Sequence, residues 1–204
     1  MHKYEILEAG KPLHEADKAI LAIHGRGSSA ANILSLAQEL GGEEYYLIAP
    51  QATNNTWYPY SFLASVKENQ PWLDSAVDIV NQIISNLKET LPGNKIYVLG
   101  FSQGACLALE ATARNASLLG GVIAFTGGLI GETLDTNRYY GDFGGSNIYL
   151  SNSFNDPHVP LQRSRESVDE LEKRNAQVIL DLYEERPHTI LQDEIDKVKD
   201  MFFY

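Results

Sequence analysis

Residues 96–110 read Ile96-Tyr97-Val98-Leu99-Gly100-Phe101-Ser102-Gln103-Gly104-Ala105-Cys106-Leu107-Ala108-Leu109-Glu110, and this stretch decides how the rest of the chain is read. It opens on four residues of strand character and closes on a helix-friendly run, with G-x-S-x-G between them. A serine in that context sits on a tight, strained turn. The flanking glycines leave space for neighbouring backbone, and the hydroxyl projects beyond the end of the strand. Free N–H groups at the start of the following helix are available to a developing oxyanion. The five-residue pattern alone is weak. Strand, pattern and helix in that order weigh much more than the plain alternative, a Gly-lined turn holding an ordinary serine.

Outward from this stretch the chain alternates. Short apolar runs rich in β-branched or aromatic residues stand at 19–23, 45–49, 122–125, 148–150 and 178–182, with 4–7 as a further edge strand. Unbroken apolar runs of this length fit strands buried on both faces. Between them, Trp72, Ala76, Ile79, Val80, Ile83, Ile84 and Leu87 keep helical spacing, with Pro71 before them and Pro92-Gly93 after. Residues 164–173 are charged and helix-friendly, and Ile190, Leu191, Ile195, Val198 and Phe202 share one face of a last helix. The pattern predicts an α/β fold with a mainly parallel central sheet and helices on both faces, as one domain over residues 1–204. The irregular, Gly-rich stretch 127–146 reads as a functional loop, because strand-like runs flank it on both sides.

The 204 residues are 44% hydrophobic and 21% charged, ordinary for a globular protein that builds its core without staples. Sixteen Lys and Arg against 27 Asp and Glu leave a net charge of −11. That sign repels phosphate backbones and anionic membrane surfaces, so no nucleic-acid partner is expected. The single cysteine, Cys106, excludes a disulfide framework and a Cys-based zinc cluster, and reads as a small core residue. No His or carboxylate pair has convincing metal spacing, so neither metal nor other cofactor is expected. The start, Met1-His2-Lys3-Tyr4-Glu5, lacks the apolar core of a secretory leader. No apolar run of about 18 residues occurs. A cytoplasmic location without stable membrane insertion is the expectation; nothing in the sequence speaks for or against a homo-oligomer.

In a parallel sheet, chemistry gathers in the loops after the strands. A serine hydroxyl needs a base, and the expected chain order is Ser, acid, His. Two histidines follow Ser102. His188 lies after the last strand and before the last helix, where a base belongs; His158 lies close to Asp156. For the acid, Asp156 follows the penultimate strand, while Asp135, Asp142, Glu184 and Glu185 are rivals. Asp156 precedes Pro157, so an Asx turn is its other reading. His24-Gly25-Arg26-Gly27 follows the second strand-like run, and the backbone N–H groups of Arg26 and Gln103 are the candidate oxyanion donors. His24 is expected to tie that loop down. Trp57, Tyr58, Tyr60 and Phe62 form an aromatic cluster, either a pocket wall or packing under a loop, with Trp57 and Tyr58 as the candidate substrate-binding pair. Tyr139, Tyr140 and Phe143 could cover the site from the opposite side. The stretch 57–69 is too short for a separate lid domain.

Taken together, His24-Gly25-Arg26-Gly27, Ala49-Pro50-Gln51, Trp57-Tyr58, the Ser102 motif, Thr126-Gly127-Gly128-Leu129-Ile130, Asp156-Pro157-His158-Val159-Pro160 and Pro187-His188-Thr189-Ile190 resemble the phospholipase/carboxylesterase family of α/β hydrolases, which includes acyl-protein thioesterases and small bacterial carboxylesterases. The resemblance spans nearly the whole chain. It implies an α/β-hydrolase fold, a Ser102–His188–Asp156 triad, and backbone N–H groups of Arg26 and Gln103 as the oxyanion hole. It also implies a serine hydrolase that cleaves carboxylic esters of small or medium acyl chains through an acyl-enzyme. An acyl-thioesterase or acyl transferase shares that machinery, so the partner is a small-molecule ester or thioester. A non-catalytic binding module on the same fold is the distant alternative. Two departures stand out: Ser28 follows Gly27 where the family often has Asp, and Pro187 precedes His188 where glycine is common.

Overall fold

Each strand-like run overlaps a strand in the computed structural model, which describes residues 1–203. The elements are β1 (Ile6–Gly10), β2 (Ala19–Ile23), α1 (Ala30–Gly41), β3 (Tyr46–Pro50), α2 (Val66–Asn69), α3 (Trp72–Lys88), β4 (Ile96–Phe101), α4 (Gln103–Arg114), β5 (Gly121–Phe125), β6 (Asn147–Ser153), α5 (Leu161–Glu172), β7 (Gln177–Tyr183) and α6 (Gln192–Phe202). The strands form one sheet in the order β1-β3-β2-β4-β5-β6-β7. Only β1, at one edge, runs antiparallel to its neighbour. Among the described residues, no helix is long and apolar enough to cross a membrane.

Side chains alternate between the faces of a strand. In β2, Ala19, Leu21 and Ile23 enter one core with α3, α4 and α5, while Ile20 and Ala22 enter a second core with α1 and α6. Strands β4, β5 and β6 divide their residues in the same way. Both faces are therefore dry, which is why these strands read as unbroken apolar runs rather than as alternating ones.

Four elements stand out as different from the sequence reading. The edge strand lies at Ile6–Gly10 rather than at 4–7, where it pairs with β3 from Ile6↔Pro50 to Gly10↔Tyr46. Strands β6 and β7 are longer than their apolar centres, because backbone pairing runs from Asn147↔Gln177 to Ser153↔Tyr183 through polar positions. Helix α1 has no counterpart in the reading above. Its buried stripe, Ala30, Ile33, Leu34, Ala37 and Leu40, keeps helical spacing, and the Ser29 hydroxyl accepts from Asn32 N–H at 3.3 Å. Outward-facing Ala31 and half-buried Leu36 blur that stripe in the sequence.

The stretch 127–146 links β5 to β6 with one short helical turn at Thr136–Arg138. Buried charges hold it. Glu110 of α4 is fully buried and accepts from Ile130 N–H at 3.0 Å, Tyr139 Oη at 3.0 Å and Arg114 Nε at 2.9 Å. Arg163 of α5 donates to the Leu129 carbonyl at 3.0 Å and the Gly131 carbonyl at 2.6 Å. An irregular buried segment must find partners for its backbone groups, and these side chains supply them.

Strands β2 and β4 are neighbours, although the chain visits β3 between them. Connections therefore leave these two strands in opposite directions along the sheet. Such a switch point opens a crevice at the carboxyl ends of the strands. The loop after β2 carries Arg26, and the turn after β4 carries Ser102.

Candidate active site

Ser102 is the single residue between β4 and α4, with φ 54° and ψ −117°. This is a left-handed, sparsely populated conformation for a residue with a side chain. Its N–H donates to the Phe125 carbonyl at 3.0 Å. The two glycines of the motif are required by close approach. A Cβ on Gly100 would lie 2.3 Å from the Gly104 carbonyl oxygen, and one on Gly104 would lie 2.0 Å from that of Ile23 and 2.6 Å from that of His24. The turn is thus pressed onto the end of β2. Gly104→Ala is expected to lower stability despite the better helix preference of alanine, by about 1–3 kcal/mol from overpacking. Thermal melting checks this; a midpoint equal to or above wild type would show that the turn has room.

The structure brings Ser102, His188 and Asp156 together from three separate loops. His188 Nε2 lies 2.8 Å from Ser102 Oγ, and His188 Nδ1 lies 2.9 Å from Asp156 Oδ2. The other oxygen, Asp156 Oδ1, accepts from the N–H groups of His158 and Val159, each at 2.9 Å. The Asx turn and the contact with His188 therefore use different oxygens of one carboxylate. Burial pushes the Asp156 carboxyl up, but hydrogen bonds from His188 and from the His158 and Val159 N–H groups outweigh it and hold the group below its ordinary range. An ionised carboxylate only accepts, so Nδ1 carries the imidazole proton and Nε2 is free to accept from the Ser102 hydroxyl. The imidazole lies between two rings, Phe101 at 5.3 Å and His158 at 4.7 Å between centroids. Of the acid rivals, Glu184 and Glu185 are exposed, and the other two are engaged elsewhere. Asp135 caps Thr136–Arg138, and Asp142 accepts from Gly144 N–H at 2.6 Å.

Arg26 and Gln103 grip the same loop with their side chains. Arg26 donates to the carbonyls of Tyr58 at 2.9 Å, Pro59 at 3.0 Å and Tyr60 at 2.7 Å. Gln103 Oε1 accepts from Trp57 N–H at 2.9 Å, and its Nε2 donates to the Tyr58 carbonyl at 2.9 Å. Their own backbone N–H groups have no acceptor among the described residues. His24 is fully buried, with Nδ1 2.8 Å from the Gly25 carbonyl and Nε2 3.1 Å from Ala52 N–H. Burial above all pushes its imidazole below the usual histidine range. It holds the Arg26 loop against the loop after β3.

A cavity of about 460 Å³ opens over Ser102 and His188, walled by Arg26, Tyr58, Tyr60, Phe62 and Val159. Both aromatics expected to bind substrate are buried; Tyr58, 1% exposed, borders this cavity, and Trp57 does not. The Trp57 indole is fully buried, its Nε1 donates to the His24 carbonyl at 2.8 Å, and it supports the loop from below. The expected cover by Tyr139, Tyr140 and Phe143 is also absent. Tyr139 and Phe143 are buried in the core and Tyr140 faces solvent, and none of the three lines the cavity. Tyr139 Oη donates to buried Glu110, which holds this ring in the core. Cys106 is core-buried, yet it also forms part of the cavity floor. Burial pushes its thiol up to about 12. The sequence gives no role to Arg186 and Glu194, and Thr126 enters it only as a landmark of the family resemblance; all three sit behind His188, and the one sign of them is an arginine so close to a candidate base.

A serine on the turn after the central strand of such a sheet, with acid and histidine on later loops, defines the α/β-hydrolase fold. The chain belongs to the phospholipase/carboxylesterase family, whose sequence pattern matches residues 4–203. It is 48% identical to a phospholipase/carboxylesterase from Dyadobacter fermentans whose crystal structure superposes with a TM-score of 0.97, covering 100% of this chain and 98% of that one. The carboxylesterase of Bacillus cereus shares the fold, with a TM-score of 0.76 and 21% identity over 99% of this chain and 93% of that one. Acyl-protein thioesterase 1 of Yarrowia lipolytica is 27% identical over 136 residues, which span 57% of this chain and 59% of that protein's length.

Proposed function

We propose that the protein is a serine hydrolase that cleaves carboxylic esters of small or medium acyl chains, acting as a single domain. The hydrogen-bonded line from Ser102 through His188 to Asp156 carries this reading. His188 Nε2 takes the Ser102 proton as Oγ attacks the acyl carbon. The N–H groups of Arg26 and Gln103 receive the oxyanion, and Asp156 supports the imidazolium. Collapse releases the alcohol with a proton from His188. Water, activated by the same imidazole, then frees the acid and restores Ser102.

The cavity supports the size class. Its walls are mostly apolar and its volume, about 460 Å³, falls in the range of small-ligand sites. Tyr58 is the proposed substrate-contacting aromatic. The similarity to an acyl-protein thioesterase keeps thioesters as a second substrate class, because the two leaving groups need the same machinery.

Intact-mass measurement after treatment with a fluorophosphonate tests the reading. One adduct on the wild-type protein is expected, followed by turnover of a p-nitrophenyl ester series that falls as the acyl chain lengthens. A folded protein that takes no adduct would instead point to a binding module. Acyl-thioesters assayed beside the esters assign the leaving-group class.

A further inference from the structure

The loop that carries His188 is anchored by a buried ion pair that the mechanism above does not use. The guanidinium of Arg186 and the carboxylate of Glu194 are both fully buried, with Arg186 Nη1 donating to Glu194 Oε1 at 2.5 Å. Nη1 also lies 3.5 Å from Ser151 Oγ at the end of β6, and Nη2 donates to Thr126 Oγ1 just after β5. The Tyr183 ring packs 5.4 Å from the guanidinium carbon. Glu194 Oε2 accepts from Leu191 N–H at 2.8 Å, so one carboxylate ties down both ends of the loop.

These contacts lead directly to the reacting groups. Thr126 follows Phe125, whose carbonyl accepts the Ser102 N–H. Between Arg186 and His188 stands only Pro187, whose ring fixes φ. Its carbonyl accepts Thr189 N–H at 2.7 Å, which closes the turn around the imidazole. A buried ion pair adds little net stability over apolar residues of equal volume, so stability is a weak account of this one. A planar guanidinium fork instead fixes direction at several partners at once. We propose that Arg186 and Glu194 are positioning residues, a clamp that ties the His188 loop to the Ser102 turn through Thr126 and sets the distance between imidazole and hydroxyl. This rests on the reading of His188 as the general base.

The test starts with fluorophosphonate labelling of wild type and His188→Ala; unimpaired labelling of His188→Ala would remove the base reading, and the clamp's purpose with it. The clamp itself is tested in the double variant Arg186→Met with Glu194→Leu, which removes both charges and keeps apolar volume. Its melting midpoint is expected close to wild type. Its kcat and labelling rate are expected to fall together by about ten- to a hundredfold, the scale of a misplaced catalytic group, with KM little changed. Arg186→Lys restores charge without the fork and is not expected to rescue kcat. Thr126→Val keeps the ion pair but cuts the link to the Ser102 turn, and a smaller fall in kcat with an intact midpoint is expected. A folded double variant with wild-type kcat and labelling rate overturns the clamp. If the double variant does not fold, wild-type kcat in Thr126→Val overturns it.

Discussion

Ser102→Ala is expected to leave a folded protein that takes no fluorophosphonate adduct and loses about 10⁶-fold in turnover, the scale seen when a triad serine is removed. The substitution deletes one hydroxyl and nothing that the fold uses, since the structural bond at this position is made by the backbone N–H to Phe125. The same residue yields a second expectation with the opposite sign. At φ 54° and ψ −117° a side chain is strained by about 1–3 kcal/mol, and glycine is not. Ser102→Gly should therefore be as inactive as the alanine variant yet melt higher, by about 2–4 °C for each kcal/mol recovered in a chain of this size. Calorimetry of the two variants beside wild type reads this directly. A glycine variant that melts no higher than the alanine variant would mean that the turn is not strained. An alanine variant that still turns over ester would move the nucleophile elsewhere.

Asp156→Asn is the second large effect, about 10⁴-fold in kcat. Asparagine keeps the shape and one acceptor oxygen. It removes the charge that supports an imidazolium, and it lets the imidazole hold its proton on Nε2, where that nitrogen can no longer accept from Ser102. The pH dependence carries a further mark. Because hydrogen bonds hold the folded Asp156 carboxyl below its ordinary value, the unfolded chain binds this proton more readily than the folded one. The stabilisation is fully present above the unfolded carboxyl value, about 4, and is lost as pH falls through the lower folded value. Asp156→Asn should accordingly flatten stability against pH in that acid window, leaving neutral pH out of it. Urea melts from pH 5 down to pH 2 measure it, and equal slopes in wild type and variant would contradict the assignment.

Strand positions were legible because the central strands are buried on both faces, so that backbone pairing and apolar content coincide, as in 19–23 and 96–99. Legibility failed where they separate. Strands β6 and β7 continue through Asn147, Asn152, Ser153 and Gln177, which pairing recruits and hydropathy does not announce. Helix α1 went unread for the converse reason: Ala31 faces outward and Leu36 packs half-buried at the edge of its stripe, so the stripe has no sharp boundary.

The site divides along the same line. Sequence by itself carried the local signals: a serine between glycines that only a tight turn accommodates, a strand before it, a helix after it, and histidines and acids on later loops, His188 and Asp156 among them. Those are short-range properties of backbone sterics and chain order. Only the tertiary structure decided which aromatics border the cavity: Trp57 and Tyr58 are adjacent in the chain and both buried, and the Trp57 indole is held beneath the loop by the His24 carbonyl. It alone turned Tyr139 into the core, through a carboxylate 29 residues away on α4. It alone joined Arg186, Glu194, Thr126 and Ser151 behind the imidazole, drawing on β5, β6 and α6. A polar side chain's role depends on its partners once water is excluded, and those partners are distant in sequence and chosen by the packing of the sheet.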